Sequence, residues 1–189
     1  SGGPREPDNR NFVLVTRSRD NGDSWSEPSV AFRHGGRGVW ATELFLGGPR
    51  PMLFVQTYDA FCRYRELQTY VSTTDDNGLT WSKPQSLPSG MRSLVVRQGL
   101  VLSNGNWLFP VYWQETRGMW DWTREPVKND MGMNWPKHSG AMISEDEGAS
   151  YTLRGDLSAD CLLWEPAVAE HAPGKLLMLI RAERSGVLY

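Results

Sequence analysis

Almost nothing in this sequence reads as helix: no segment of its 189 residues holds a 3.6-residue apolar period for three turns. Long apolar runs are missing as well. The longest uninterrupted one is Leu176 to Ile180, far below the roughly 20 residues that span a bilayer, so no helical membrane span is expected. Charge of one sign is concentrated nowhere. Lys and Arg (20) are interspersed with Asp and Glu (22) for a formal net charge of -2, which offers no basic patch to nucleic acid or an anionic membrane. The two cysteines, Cys62 and Cys161, lack CxxC or His-rich company, and His34, His138 and His171 are scattered without metal-ligand or Ser/His/Asp spacing. Neither a metal nor a cofactor is expected, and the sequence leaves open whether the cysteines pair. What it does contain, 39% hydrophobic residues with nine Trp, suits one ordinary globular domain with a sizeable core.

A short polar stretch recurs. "SRDNGDSW" (Ser18 to Trp25), "TDDNGLTW" (Thr74 to Trp81) and "SEDEGASY" (Ser144 to Tyr151) share Ser or Thr, Asp, Gly and an aromatic at offsets 0, 2, 4 and 7. Asp20, Asp76 and Asp146 stand 56 and 70 residues apart, and several short strands per period of that length are the signature of a propeller or solenoid. Turn chemistry accounts for every position. Asn-Gly pairs tolerate positive φ, Asp and Ser or Thr side chains bond nearby amides, and the aromatic packs under the turn. Asp20, Gly22, Trp25, Asp76, Gly78, Trp81, Asp146, Gly148 and Tyr151 are therefore expected to be structural.

Each motif follows a strand-like segment ("FVLVTRS", "LQTYVSTT", "SGAMIS") and precedes another ("WSEPSVAF", "WSKPQSLP", "YTLRGDL"). Two further apolar segments lie between motifs, such as "VWATELFLGG" and "RPMLFVQTY". The count is four strands per period, A to D, with the motif in the C to D turn. The expected fold is all-β: a propeller of four-stranded antiparallel blades, about three of them, spanning residues 1–189 as one partial domain. The opening "SGGPREPDNR" reads as the middle of something, and half a propeller leaves open sheet edges. The chain is expected to be a fragment that needs the rest of its own propeller to close.

These motifs, together with "WEPAVAEHAPGKLLMLIRAERSGVLY", resemble the sialidase (neuraminidase) superfamily, whose BNR repeats or Asp-boxes decorate a six-bladed propeller. The resemblance implies an exo-α-sialidase-like hydrolase that releases terminal sialic acid from glycoconjugates with retention. In that family three arginines clamp the substrate carboxylate, a Tyr activated by a Glu is the nucleophile, and an Asp handles the leaving-group proton. A neutral phenol avoids the repulsion a carboxylate nucleophile would suffer, and guanidinium matches carboxylate with two parallel bonds. Glu165 matches the Tyr-activating Glu, Arg181 the second arginine and Asp8, more loosely, the acid/base Asp. The other two arginines and the nucleophilic Tyr belong outside the chain. A sialylated or other acidic glycan is the implied partner, and a secreted, periplasmic or lysosome-like compartment the implied location.

Strand alternation supplies a check independent of family. Boxes in C to D turns mark one face, so B to C loops and D to A links share the other. Glu165 and Arg181, joined through the "EHAPGK" turn, return to one height on that face. Asp8 falls there too, as do Arg37 and Trp40 of "RHGGRGVW" and Arg63 of "DAFCRYRE", which are expected to touch substrate. So does the connection Glu115 to His138, whose Trp120, Trp122 and Trp135 either stack on sugars or simply pin the loop. Several readings stay open: Arg181 as a surface or ion-paired arginine, and Glu170 or Glu183 as the working carboxylate. Within enzymes the alternative is a glycosidase or polysaccharide lyase acting on another acidic sugar; outside them it is a non-catalytic carbohydrate-binding propeller.

Overall fold

The computed structural model describes residues 8–59, 67–88, 91, 94–113 and 138–183. Strands β1 (Val13–Val15) and β2 (Ser29–Phe32) form an antiparallel pair. A four-stranded antiparallel sheet follows in chain order, β3 (Gly38–Phe45), β4 (Met52–Tyr58), β5 (Gln68–Thr73) and β6 (Gln85–Ser86). The next sheet contains β7 (Val95–Val96), β8 (Leu100–Val101), β9 (Trp107–Trp113), β10 (His138–Ser144) and β11 (Thr152–Ser158). Here strand A is broken, because β7 and β8 both pair with β9 across an interruption at Arg97 to Gly99. The long hairpin of β12 (Leu162–Ala172) and β13 (Lys175–Glu183) completes the described chain. The architecture is all-β: two whole A-B-C-D blades of a propeller flanked by a C-D pair and an A-B pair, about half of a six-bladed ring.

Stacking explains the strand texts. A blade between two others is covered on both faces, so its strand B reads as a near-continuous apolar run instead of alternating. All of β4 is buried, and Phe45, Met52 and Phe54 of this blade meet Val96, Trp107, Phe109 and Met142 of the next. Phe109 holds the centre, with ring centroids 4.8 Å from Phe45 and 5.0 Å from Phe54. Truncating such a fully buried aromatic costs about 3–5 kcal/mol. A smaller cluster of Val39, Leu53 and Val55 receives Val13 and Phe32 from the preceding pair.

The three polar motifs close the β1–β2, β5–β6 and β10–β11 turns with one repeated network. In the second, Thr74 Oγ1 donates to Asp76 Oδ1 at 2.8 Å and accepts from Gly78 N at 2.8 Å. Thr80 N donates to Asp76 Oδ1 at 2.8 Å and Thr80 Oγ1 to Oδ2 at 2.6 Å. Ser18, Asp20 and Ser24 repeat this pattern, as do Ser144, Asp146 and Ser150. Positive φ falls on consecutive residues in each: Asn21 and Gly22, Asn77 and Gly78, Glu147 and Gly148. The third box thus places a Glu where Asn is tolerated at lower steric cost.

One expectation is corrected. Tyr151 packs on Phe109 and Trp81 on the smaller core, but Trp25 of the first box is 63% exposed, with its indole N–H donating only to Gly22 O. The other two aromatics have an apolar cluster beside their turns, which Trp25 lacks among the described residues.

The hydrogen bonds from Ser24 and Thr80 hold the Asp20 and Asp76 carboxyls at about 2, below the ordinary carboxylate range, and Ser150 lowers Asp146 in the same way. A depressed folded-state pKa stabilises above the unfolded value and loses that contribution as pH falls from about 4 toward 2. Asp76→Asn should therefore lower the melting temperature at pH 7 and flatten its decline between about pH 5 and 2. Thermal melts across that range check both outcomes.

Candidate functional site

The box-bearing end is tied together by structural contacts. Glu170 accepts from Gly174 N at 2.8 Å in its own hairpin turn, and from Ser103 N at 2.6 Å and Ser103 Oγ at 2.9 Å in the neighbouring blade. Those bonds, the Gly174 amide first, lower its pKa. Glu170 therefore latches two blades at the box end and is removed as the alternative working carboxylate. The opposite end carries Asp8, Gly38, Tyr58, His138, Arg181 and Glu183, as the pairs Gly38 with Tyr58 and Leu162 with Glu183 require.

On the last hairpin, Glu165 Oε2 lies 3.4 Å from Arg181 Nη1, while Arg181 Nη2 lies 3.4 Å from Glu183 Oε2. Residues sixteen positions apart meet because β12 and β13 run antiparallel, Trp164 standing opposite Arg181. Glu165 is not at the strand's start, where it is expected from sequence. It is the fourth residue of β12, in a register shift between Trp164 and Ala167, with φ 47°. A left-handed Glu inside a strand costs on the order of 1–3 kcal/mol, and the following Pro166 disfavours helical backbone there as well. The bulge turns the Glu165 carboxylate toward Arg181 at that cost. Both side chains are well exposed, so the ion pair itself contributes little stability.

Asp8 sits on the other flank, in a turn closed by Asn11 N donating to Asp8 O at 3.0 Å. Its carboxylate is gripped by Arg10, whose Nε donates to Oδ1 at 3.0 Å and Nη2 to Oδ2 at 2.9 Å, with Arg10 N donating to Oδ1 at 2.8 Å. These bonds raise the Arg10 pKa and favour the charged form of both partners. Fully buried Tyr58 places the turn: its hydroxyl donates to Asp8 O at 3.2 Å and accepts from Asn11 Nδ2 at 2.6 Å. Gly38 makes room, since a Cβ there would lie 2.6 Å from Asp8 O and from the Tyr58 ring.

Trp40 leans on Tyr58 with centroids 4.8 Å apart, and its indole N–H donates to Gln56 Oε1 at 2.5 Å. Buried Gln56 in turn donates to Thr69 Oγ1 and to Leu94 O of the next blade. Arg37 donates to Thr57 Oγ1 and Thr57 O at 3.2 and 3.3 Å. Asp8, Arg37 and Trp40 thus form one group on the first two blades, and Glu165 and Arg181 a second on the last hairpin. Arg63 and the loop tryptophans Trp120, Trp122 and Trp135 lie outside the described residues, as does Cys62; Cys161 is a free thiol.

The family model for a BNR repeat-like domain matches residues 2–189. The chain belongs to that family. No curated protein sequence matches this BNR chain significantly. Among solved structures, a Trypanosoma rangeli sialidase in complex with sialic acid aligns with TM-score 0.64 and 23% identity, covering 93% of this chain and 30% of that one. A protein of unknown function from Dyadobacter fermentans aligns with TM-score 0.69 and 17% identity, covering 98% and 55%. The NanB sialidase from Streptococcus pneumoniae aligns at 0.64 and 12%, covering 96% and 44%. This BNR chain therefore spans between about a third and just over half of the chains it matches, and it shares their sialidase-like propeller fold.

Several residues escaped sequence reasoning. Ser24, Thr80 and Ser150 repeat at offset 6 of each box, a signal present in the text. Tyr58 and Gln56 left none, because their importance depends on strands distant in sequence. His138, without metal-ligand or triad spacing in the sequence, stacks on Trp113 at 5.5 Å and meets Asp156 at 2.7 Å.

A glycine inside a strand ordinarily costs about 0.5–1 kcal/mol. Glu165→Gly should show no such loss in urea unfolding, because glycine occupies positive φ without strain and only an exposed ion pair disappears. A clear loss of stability would mean that the bulge is not strained.

Proposed function

We propose that this chain forms part of an exo-α-sialidase-like glycoside hydrolase that releases terminal sialic acid from glycoconjugates. The observation that carries the reading is the Glu165–Arg181 pair, held at 3.4 Å on the loop end of the last hairpin by a strained bulge. Arg181 presents a planar fork suited to the substrate carboxylate. Glu165, withdrawn from the guanidinium as substrate binds, accepts the proton of a tyrosine supplied from outside this chain. That phenolate attacks the anomeric carbon while Asp8 delivers a proton to the departing oxygen. Water then releases the sugar, giving net retention. The likeness of fold to the Trypanosoma rangeli sialidase, whose structure contains sialic acid, supports this choice of sugar.

In the protein carrying this chain, Arg181→Lys should lower kcat/KM on a fluorogenic sialoside by about 10- to 100-fold, the range of a charge-assisted hydrogen bond. Glu165→Gln should reduce kcat by about 100-fold or more, as loss of a general base does. Unchanged turnover in Arg181→Lys would remove the clamp assignment. Turnover of uronate-containing polysaccharides alone would transfer the site to another acidic sugar, and sugar binding without turnover would make it a carbohydrate-binding propeller.

Asp8 supplies a second test. Arg10 donates to both Asp8 carboxylate oxygens, and removing a cation from beside a carboxyl raises the pH at which that carboxyl gives up its proton. Arg10→Ala should move the alkaline limb of the kcat/KM profile to higher pH; an unmoved limb would take Asp8 out of the acid role.

A further inference from the structure

Arg97 occupies the break between β7 and β8, on strand A of its blade. Its backbone N–H donates to Pro110 O at 2.8 Å, and Val95 stands opposite Tyr112. Strand alternation therefore puts the Arg97, Val95 and Tyr112 side chains on one face of the sheet. That face meets the last hairpin, where the Tyr112 ring lies edge-on to Trp164 with centroids 5.9 Å apart. Burial raises the Tyr112 hydroxyl to about 12, so it stays neutral, and it feels the charges of Arg97, Glu165 and Arg181 together. Arg97 also reaches the field of Glu43, a carboxylate raised by its own burial and held by Gly99 N at 3.0 Å.

Arg97 is half-buried, and its side chain makes no hydrogen bond or contact ion pair among the described residues. A partly desolvated cation without a contact partner is costly to maintain, whereas Arg10 has Asp8, Arg37 has Thr57 and Arg181 has Glu165 and Glu183. Glu165 and Glu183 leave Arg181 no spare charge for a second anion. Arg97 supplies it, one blade away and facing the same hairpin.

We propose that Arg97 binds a second anionic group of the substrate, so that the site prefers an acidic glycan carrying a further carboxylate or sulfate beside the carboxylate held by Arg181. This rests on the reading of Glu165 and Arg181 as the sugar site. An anion bound at Arg97 would also order that side chain, which a neutral hydroxyl at the same place would do more weakly.

Titration calorimetry of the protein carrying this chain with three probes separates the possibilities: N-acetylneuraminic acid, its α2,8-linked dimer and a sulfated N-acetylneuraminic acid. The two doubly charged probes should bind about tenfold more tightly than the monosaccharide, and Arg97→Gln should erase that advantage while leaving monosaccharide affinity unchanged. Arg181→Lys should weaken all three. Loss of the advantage for only one doubly charged probe identifies whether the dimer's carboxylate or the sulfate is the group received. An advantage that survives Arg97→Gln, or an equal loss for every probe, overturns the proposal while leaving the Arg181 reading intact. Failure of all three to bind the unaltered protein overturns both. Unchanged near-ultraviolet dichroism of Arg97→Gln shows that the variant folds, as expected for a side chain without hydrogen bonds.

Discussion

Burial of a β-sheet on both of its faces governs this molecule. The blade of β3 to β6 has its neighbours' side chains on either side, and the aromatic contacts of Phe45 and Phe54 with Phe109 are where that burial is densest. A sheet so covered has no face left for chemistry. Polar groups that need water, and side chains that need a ligand, are driven to the two ends of the strands. One end is consumed by hairpin closure, and the proposed site residues Glu165, Arg181 and Asp8 stand toward the other.

The box end shows what consumption means physically. Each aspartate accepts from a hydroxyl and an amide four residues on, and a Ser or Thr two residues back completes the ring of bonds. These carboxylates are saturated by their own turn, with pKa values pulled down because every nearby donor favours the ionised form. Glu170 is saturated similarly, but across two blades, and so adds rigidity between them. Such groups are committed to the frame of the blades. At the opposite end Asp8 and Glu165 are paired with the exposed guanidiniums of Arg10 and Arg181.

The site end also holds its strain in one place. Glu165 takes a left-handed backbone in a strand, before a proline, where nothing in the turn chemistry asks for it. The positive φ at Asn21 and Asn77 is a different matter, since Asn-Gly turns need it and tolerate it. Local rules therefore account for the boxes and fail at Glu165, and failure of local rules is most informative where a side chain is being aimed. Tyr58 and Gly38 aim the Asp8 turn without strain, by packing alone.

The sequence by itself determined the all-β class, the four-strand period, the box turns and the face on which Glu165, Arg181 and Asp8 lie. Each rests on interactions between residues a few positions apart, or on a period of two along a strand. Tertiary structure alone decided the break in strand A at Arg97, the bulge under Glu165, the latch of Glu170 and the exposure of Trp25. Those depend on what the next blade places against each side chain, and distance along the chain carries no record of that. Tyr112 meets Trp164 and feels the charge of Glu165 only because one blade stacks on the next.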